Sequence, residues 1–171
     1  NAGKSTLISR CSSARPKIAN YPFTTLTPVL GIVELTGFRR FVMADIPGLI
    51  EGAHDGAGLG HDFLRHIERT RILVHILDIM PADDSDPVDN YKKIRNELKL
   101  HSKVLIRKPE VIVLNKIDLD PEGIFVSDIK KRLPRGRKIL AISAVSGEGI
   151  PQLNEILWKI VRKDGDESDR N

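Results

Sequence analysis

The run Asn1, Ala2, Gly3, Lys4, Ser5 and Thr6 limits what this chain can fold into more than any other stretch. It reads as the closing half of a phosphate-binding loop, G-x-x-x-x-G-K-[ST], whose backbone N–H groups, lysine and hydroxyl together hold a polyphosphate and its magnesium ion. Such a loop needs a helix directly behind it, so that free N–H groups and the helix dipole face the anion. Leu7, Ile8 and Cys11 supply the helical spacing over about residues 4–13. The loop also needs a strand in front of it. The first glycine of the motif and that strand are expected upstream of Asn1. Taken alone, Gly-Lys-Ser is common by chance, so the weight falls on the rest of the chain.

With 171 residues and 40% apolar content, the chain suits one domain with a substantial core. A net charge of +4 does not single out a nucleic-acid binder, because both signs are interspersed and no aromatics interleave with the basic residues. The basic segment 130–138 reads first as solvated surface and second as an RNA contact. The single Cys11 excludes an internal disulfide and a thiolate zinc cluster. No apolar run reaches the ~18 residues of a membrane span. These features lead us to expect a monomer in the cytoplasm with no membrane partner.

Along the chain, residues 14–28 carry Pro16, Pro22 and Pro28 and no helical period, a long loop of the functional kind. Val29–Leu35 and Phe38–Ile46 read as strands of an antiparallel hairpin turning at Thr36 and Gly37. A glycine-rich stretch, 52–60, precedes an amphipathic helix expected over about 61–71. Ile72–Asp78 is a near-continuous apolar run suited to a parallel strand buried on both faces. Asp86 and Pro87 form a helix start, with Val88, Tyr91, Ile94 and Leu98 on one face. Further strands are expected at 111–114 and 139–142, and helices at 124–133 and after Pro151. The hairpin and repeated strand–helix units predict an α/β fold, mostly parallel, with helices on both faces. One domain spans 1–163, and the charged tail 164–171 is expected to be unstructured.

In such sheets ligands bind at the carboxyl ends of strands, and each polar motif falls at one. Asp45, Ile46, Pro47 and Gly48 follow the second hairpin strand; the carboxylate suits magnesium held through water, and the Gly48 N–H suits a terminal phosphate. Asn115, Lys116, Ile117 and Asp118 follow the 111–114 strand. Asp118 can accept from guanine N1–H and the exocyclic amine, a pair adenine cannot offer, and unpaired groups reject the wrong base. Asn115 can address the other base edge, and the Lys116 stem can lie along the base plane. Ser143, Ala144 and Val145 follow the last strand, placing the Ala144 N–H where it could donate to guanine O6. Four such motifs in this order point to a guanine-nucleotide site.

Residues 21–26 (YPFTTL), 45–53 (DIPGLIEGA) and 56–70 (GAGLGHDFLRHIERT), with Asn115–Asp118 and Ser143–Ala144, resemble the GTPase domain of the Obg family, also called CgtA. The resemblance runs to about Val161 and is closer than that to the related DRG subfamily. It implies a P-loop GTPase G domain, a mostly parallel sheet with one antiparallel hairpin strand. The first strand of that sheet is missing from these residues. It also implies that Ser5 and Thr25 ligate magnesium directly, that Phe23, Thr24, Thr25, Leu26 and Thr27 form the first switch and line the nucleotide, and that residues 45–60 form the second. Lys4, Thr25 and Gly48 are the implied catalytic contacts to the phosphates, with GTP and GDP as ligands and the large ribosomal subunit, in assembly and stress, as partner.

Leu49 stands where many signalling GTPases carry a water-orienting glutamine, which predicts slow turnover. Asn1 matches an asparagine associated with potassium-assisted catalysis in related GTPases, making K+ a candidate activator. A nucleotide sensor with negligible hydrolysis is the alternative, and an ATPase or kinase is disfavoured by Asp118. His61, His66 and His75 are expected to serve surface or packing roles; His54, in the second switch, could approach nucleotide but nothing in the sequence compels it.

Overall fold

A computed structural model describes residues 2–18, 28–45 and 68–168. Expectations that fall on Asn1, on 19–27 or on 46–67, including Phe23–Thr27, Ile46–Gly48, Leu49 and His54, lie outside the described residues. Within them the order is α1 (Lys4–Cys11), β1 (Lys17–Ile18), β2 (Val29–Leu35), β3 (Arg39–Ala44), β4 (Leu73–Asp78), α2 (Pro87–His101), β5 (Glu110–Asn115), α3 (Ile124–Arg132), β6 (Lys138–Ile142) and α4 (Ile150–Ser168).

The β5 strand is the spine of the molecule. All its residues are buried, and its alternation sends Val111 and Val113 to one face and Ile112 and Leu114 to the other. The first face meets Leu7 and Cys11 of α1 and Leu153 and Leu157 of α4. The second meets Val88 and Tyr91 of α2 and Ile129 of α3. Helices therefore cover both faces, as parallel β4–β5–β6 pairing requires.

The α2 helix starts as the sequence indicates: Asp86 accepts from the N–H groups of Val88 and Asp89, each at 2.9 Å, and Pro87, with no N–H, needs no acceptor. The β2–β3 hairpin turns through Thr36, Gly37 and Phe38, pairing Leu35 with Arg39. Its second strand is thus shorter than the expected 38–46. Arg39 locks the turn by donating to the Thr36 carbonyl at 2.7 Å and reaches α4 through both Glu155 oxygens at 2.8 Å.

Other elements differ from expectation. Within the loop expected at 14–28, Lys17 and Ile18 pair antiparallel with Leu30 and Val29; two residues are too few for a periodic signal. The described part of the helix expected over 61–71 is turn and coil from Glu68 onward. The α4 backbone continues to Ser168, past the boundary expected at 163, because extending an existing helix avoids the cost of nucleation.

Among the described residues the strands form an antiparallel set, β1–β2–β3, and a parallel set, β4–β5–β6. Between them lies a groove of about 620 Å³ lined by consecutive residues of both facing strands, Arg40–Ala44 and Leu73–Ile76. Consecutive residues line a cavity where a strand presents its edge rather than a face, and β3 and β4 are the end strands of their two sheets.

Candidate guanine-nucleotide site

The phosphate end is built on Gly3. Its φ of 92° is left-handed and its carbonyl accepts from Leu7 N at 2.9 Å, opening α1. A Cβ there would sit 2.5 Å from the Asn115 amide nitrogen, so the position demands glycine on two counts. Ser5 and Thr6 are exposed in the first turn. Lys4 Nζ lies 4.0 Å from Asp45 Oδ1.

Asp45 is fixed by its N–H, which donates to Val29 O at 2.8 Å, while its Oδ1 is buried with no hydrogen-bond partner among the described residues. An orphaned carboxylate oxygen beside an ammonium and a helix start suits a hard divalent ion reached through water. Ser5 and Asp45 would share its shell with phosphate oxygens and water.

The base end is organised by Asn115. It is 2% exposed; its Nδ2 donates to Ala2 O at 2.8 Å and its Oδ1 accepts from Ala144 N at 2.9 Å. The amide thus ties three motifs together with one of its two N–H donors and its oxygen, the Ala144 N–H donating to that oxygen. Asp118 is exposed and makes no hydrogen bond or ion pair with the described residues, so its carboxylate is free for a ligand. Two residues on, Asp120 is buried and accepts from Ile124 N at 3.0 Å and Val126 N at 2.9 Å, a purely structural acid. Lys116 sits at a left-handed φ of 73°.

Ser143 is fully buried; its Oγ accepts from Ser146 N at 3.0 Å and its carbonyl from Gly147 N at 2.9 Å. The loop closes on Gly149, where φ is 75° and a Cβ would meet Ala141 O at 2.6 Å. Val145 is exposed, and its carbonyl accepts from the Arg10 guanidinium of α1.

Ala2–Thr6, Asp45, Asn115–Asp118 and Ser143–Val145 are therefore linked at one end of the parallel sheet. Sequence reasoning missed Arg10, which has no motif, and Asp78, whose signal was a lone carboxylate closing the apolar run of β4. His75 has the expected packing role: it is buried, 3.2 Å from Glu110, with its ring 4.9 Å from Tyr91.

This doubly faced α/β sheet with phosphate and base loops at its carboxyl end defines a P-loop GTPase G domain. Its fold is similar to the G domain of the T. maritima FeoB iron transporter (TM-score 0.63, 21% identity, 95% of this chain and 91% of that one). The cytosolic domain of L. pneumophila FeoB is similar too (TM-score 0.66, 20% identity, 94% and 60%). Residues 1–116 match the family described as 50S ribosome-binding GTPase, and the chain belongs to that family. It is 53% identical over 160 residues to GTPase Obg of Aquifex aeolicus, covering 93% of this chain and 47% of that protein. With GTPase Obg of Caldanaerobacter subterraneus subsp. tengcongensis it shares 56% identity over 158 residues, covering 90% and 36%. The chain thus spans less than half the length of these relatives.

Proposed function

We propose that this chain is the nucleotide switch of a GTP-hydrolysing protein that acts on the large ribosomal subunit. The observation that carries it is the Asn115 bridge, which aligns the phosphate loop with a base-reading loop whose Asp118 is left unpaired. Water would attack the γ-phosphate in line, releasing GDP and phosphate. Lys4 would pair with the β- and γ-phosphate oxygens, exchanging its distant Asp45 partner for a closer one. Ser5 and Thr25 would hold magnesium directly and Asp45 through water. When bound, magnesium supplies charge neutralisation at the same oxygens. Thr25 and Gly48 would sense the γ-phosphate, and its loss would release both switches.

Support for the ribosomal partner comes from the description of the family; a role in subunit assembly and stress is proposed with it, on the resemblance to the Obg family. Potassium is proposed as a second activator through Asn1. A sensor that binds GTP and GDP with negligible hydrolysis is the competing reading, favoured by Leu49. Single-turnover hydrolysis by the full-length polypeptide, with and without large subunits and in sodium against potassium, separates the two. Slow cleavage accelerated by subunits supports the switch. No cleavage under any condition leaves the sensor.

A further inference from the structure

Asp78 is the last residue of β4 and pairs in register with Asn115, yet it belongs to none of the nucleotide motifs. Its side chain is 9% exposed and fully engaged. Oδ1 accepts from Met80 N at 3.0 Å, which fixes the carboxylate plane, and Oδ2 receives Lys116 Nζ at 2.5 Å. Lys116 reaches it from a left-handed backbone, a conformation that a non-glycine residue keeps only where its surroundings enforce it. Two features therefore hold one lysine: the backbone sets where its stem begins and Asp78 sets where it ends.

Resting on the guanine-nucleotide reading above, we propose that Asp78 is a positioning residue for nucleotide binding, tethering Lys116 so that its methylene stem forms a fixed apolar bar for the face of the base. An untethered lysine samples many rotamers, and the ligand must order it on binding. A lysine already ordered spares the ligand that cost. A structural acid would act differently: its loss would weaken the fold and every function of the domain together.

The test is a double-mutant cycle on the full-length polypeptide, read by equilibrium binding and dissociation of fluorescent GDP. Asp78→Asn keeps the acceptor for Met80 N and the side-chain shape while removing the tether. Lys116→Met keeps an unbranched apolar stem that cannot be tethered. Asp78→Asn is expected to weaken GDP on the order of three- to tenfold, mainly through faster dissociation, with single-turnover cleavage of bound GTP changed less than about twofold. In the Lys116→Met background the same substitution is expected to add nothing. Unchanged affinity in Asp78→Asn, an equal loss in both backgrounds, or a parallel loss of binding and cleavage would each overturn the proposal. A parent protein that binds ADP as well as GDP would instead overturn the nucleotide assignment beneath it.

Discussion

Asn115 shows how a residue recognisable from its motif can do a job the motif does not announce. Its two hydrogen bonds run to Ala2 and Ala144, 113 and 29 residues away, and separations of that size leave no trace in local spacing. Replacing it by alanine strands a part-buried carbonyl and a buried N–H, which costs about 3 kcal/mol. Asn115→Ala should lower the thermal midpoint of the domain by roughly 6–12 °C; unchanged melting would show the bridge to be idle. Glu110 is a second residue whose role is legible only in three dimensions. Burial alone would push its carboxyl up, but the hydrogen bond with His75 and the charge of Arg95 outweigh it and hold Glu110 below its usual range. Tyr91 adds an O–H at 3.2 Å. A carboxyl held low stabilises the fold above its unfolded value near 4.3, and that share is lost as pH falls through the lower folded value. Melting midpoints of Glu110→Gln should therefore be lower than the parent's at neutral pH and fall less steeply on acidification below about pH 4.3. Parallel curves would contradict this assignment.

At the scale of elements, the sequence is most informative where one local rule acts alone. The apolar run of residues 111–114 can be buried only on both faces, and β5 is; Asp86 before Pro87 can only start a helix, and α2 starts there. Asp86→Ala removes both cap bonds and should cost about 1 kcal/mol, visible as a fall of roughly 2–4 °C in melting; no fall would mean that water replaces the cap. Legibility fails where an element exists through a distant partner. The two-residue β1 is a strand only because β2 lies beside it, and Asp78 matters only because β4 and β5 end in register. The carboxylate of Asp120 illustrates the same limit, since sequence gives it the same chemistry as Asp118 while burial gives it a different task.

Among the described residues, Lys4 and Asp45 sit with the antiparallel strands and Asn115–Val145 with the parallel ones, joined at the site by the Asn115 bridge and across the core by α1 and α4. The central claim, that this assembly reads guanine, is tested most directly by changing Asp118, an exposed acid that pairs with none of the described residues. Xanthine carries an oxygen where guanine has its exocyclic amine, so an amide at position 118 would meet xanthine's N–H and carbonyl as the carboxylate meets guanine's two donors. Competition binding of GDP, XDP and ADP to the full-length polypeptide should show a parent that prefers GDP and an Asp118→Asn variant that prefers XDP, each by about 100-fold or more. A variant that still prefers GDP, or a parent indifferent between GDP and ADP, would contradict it.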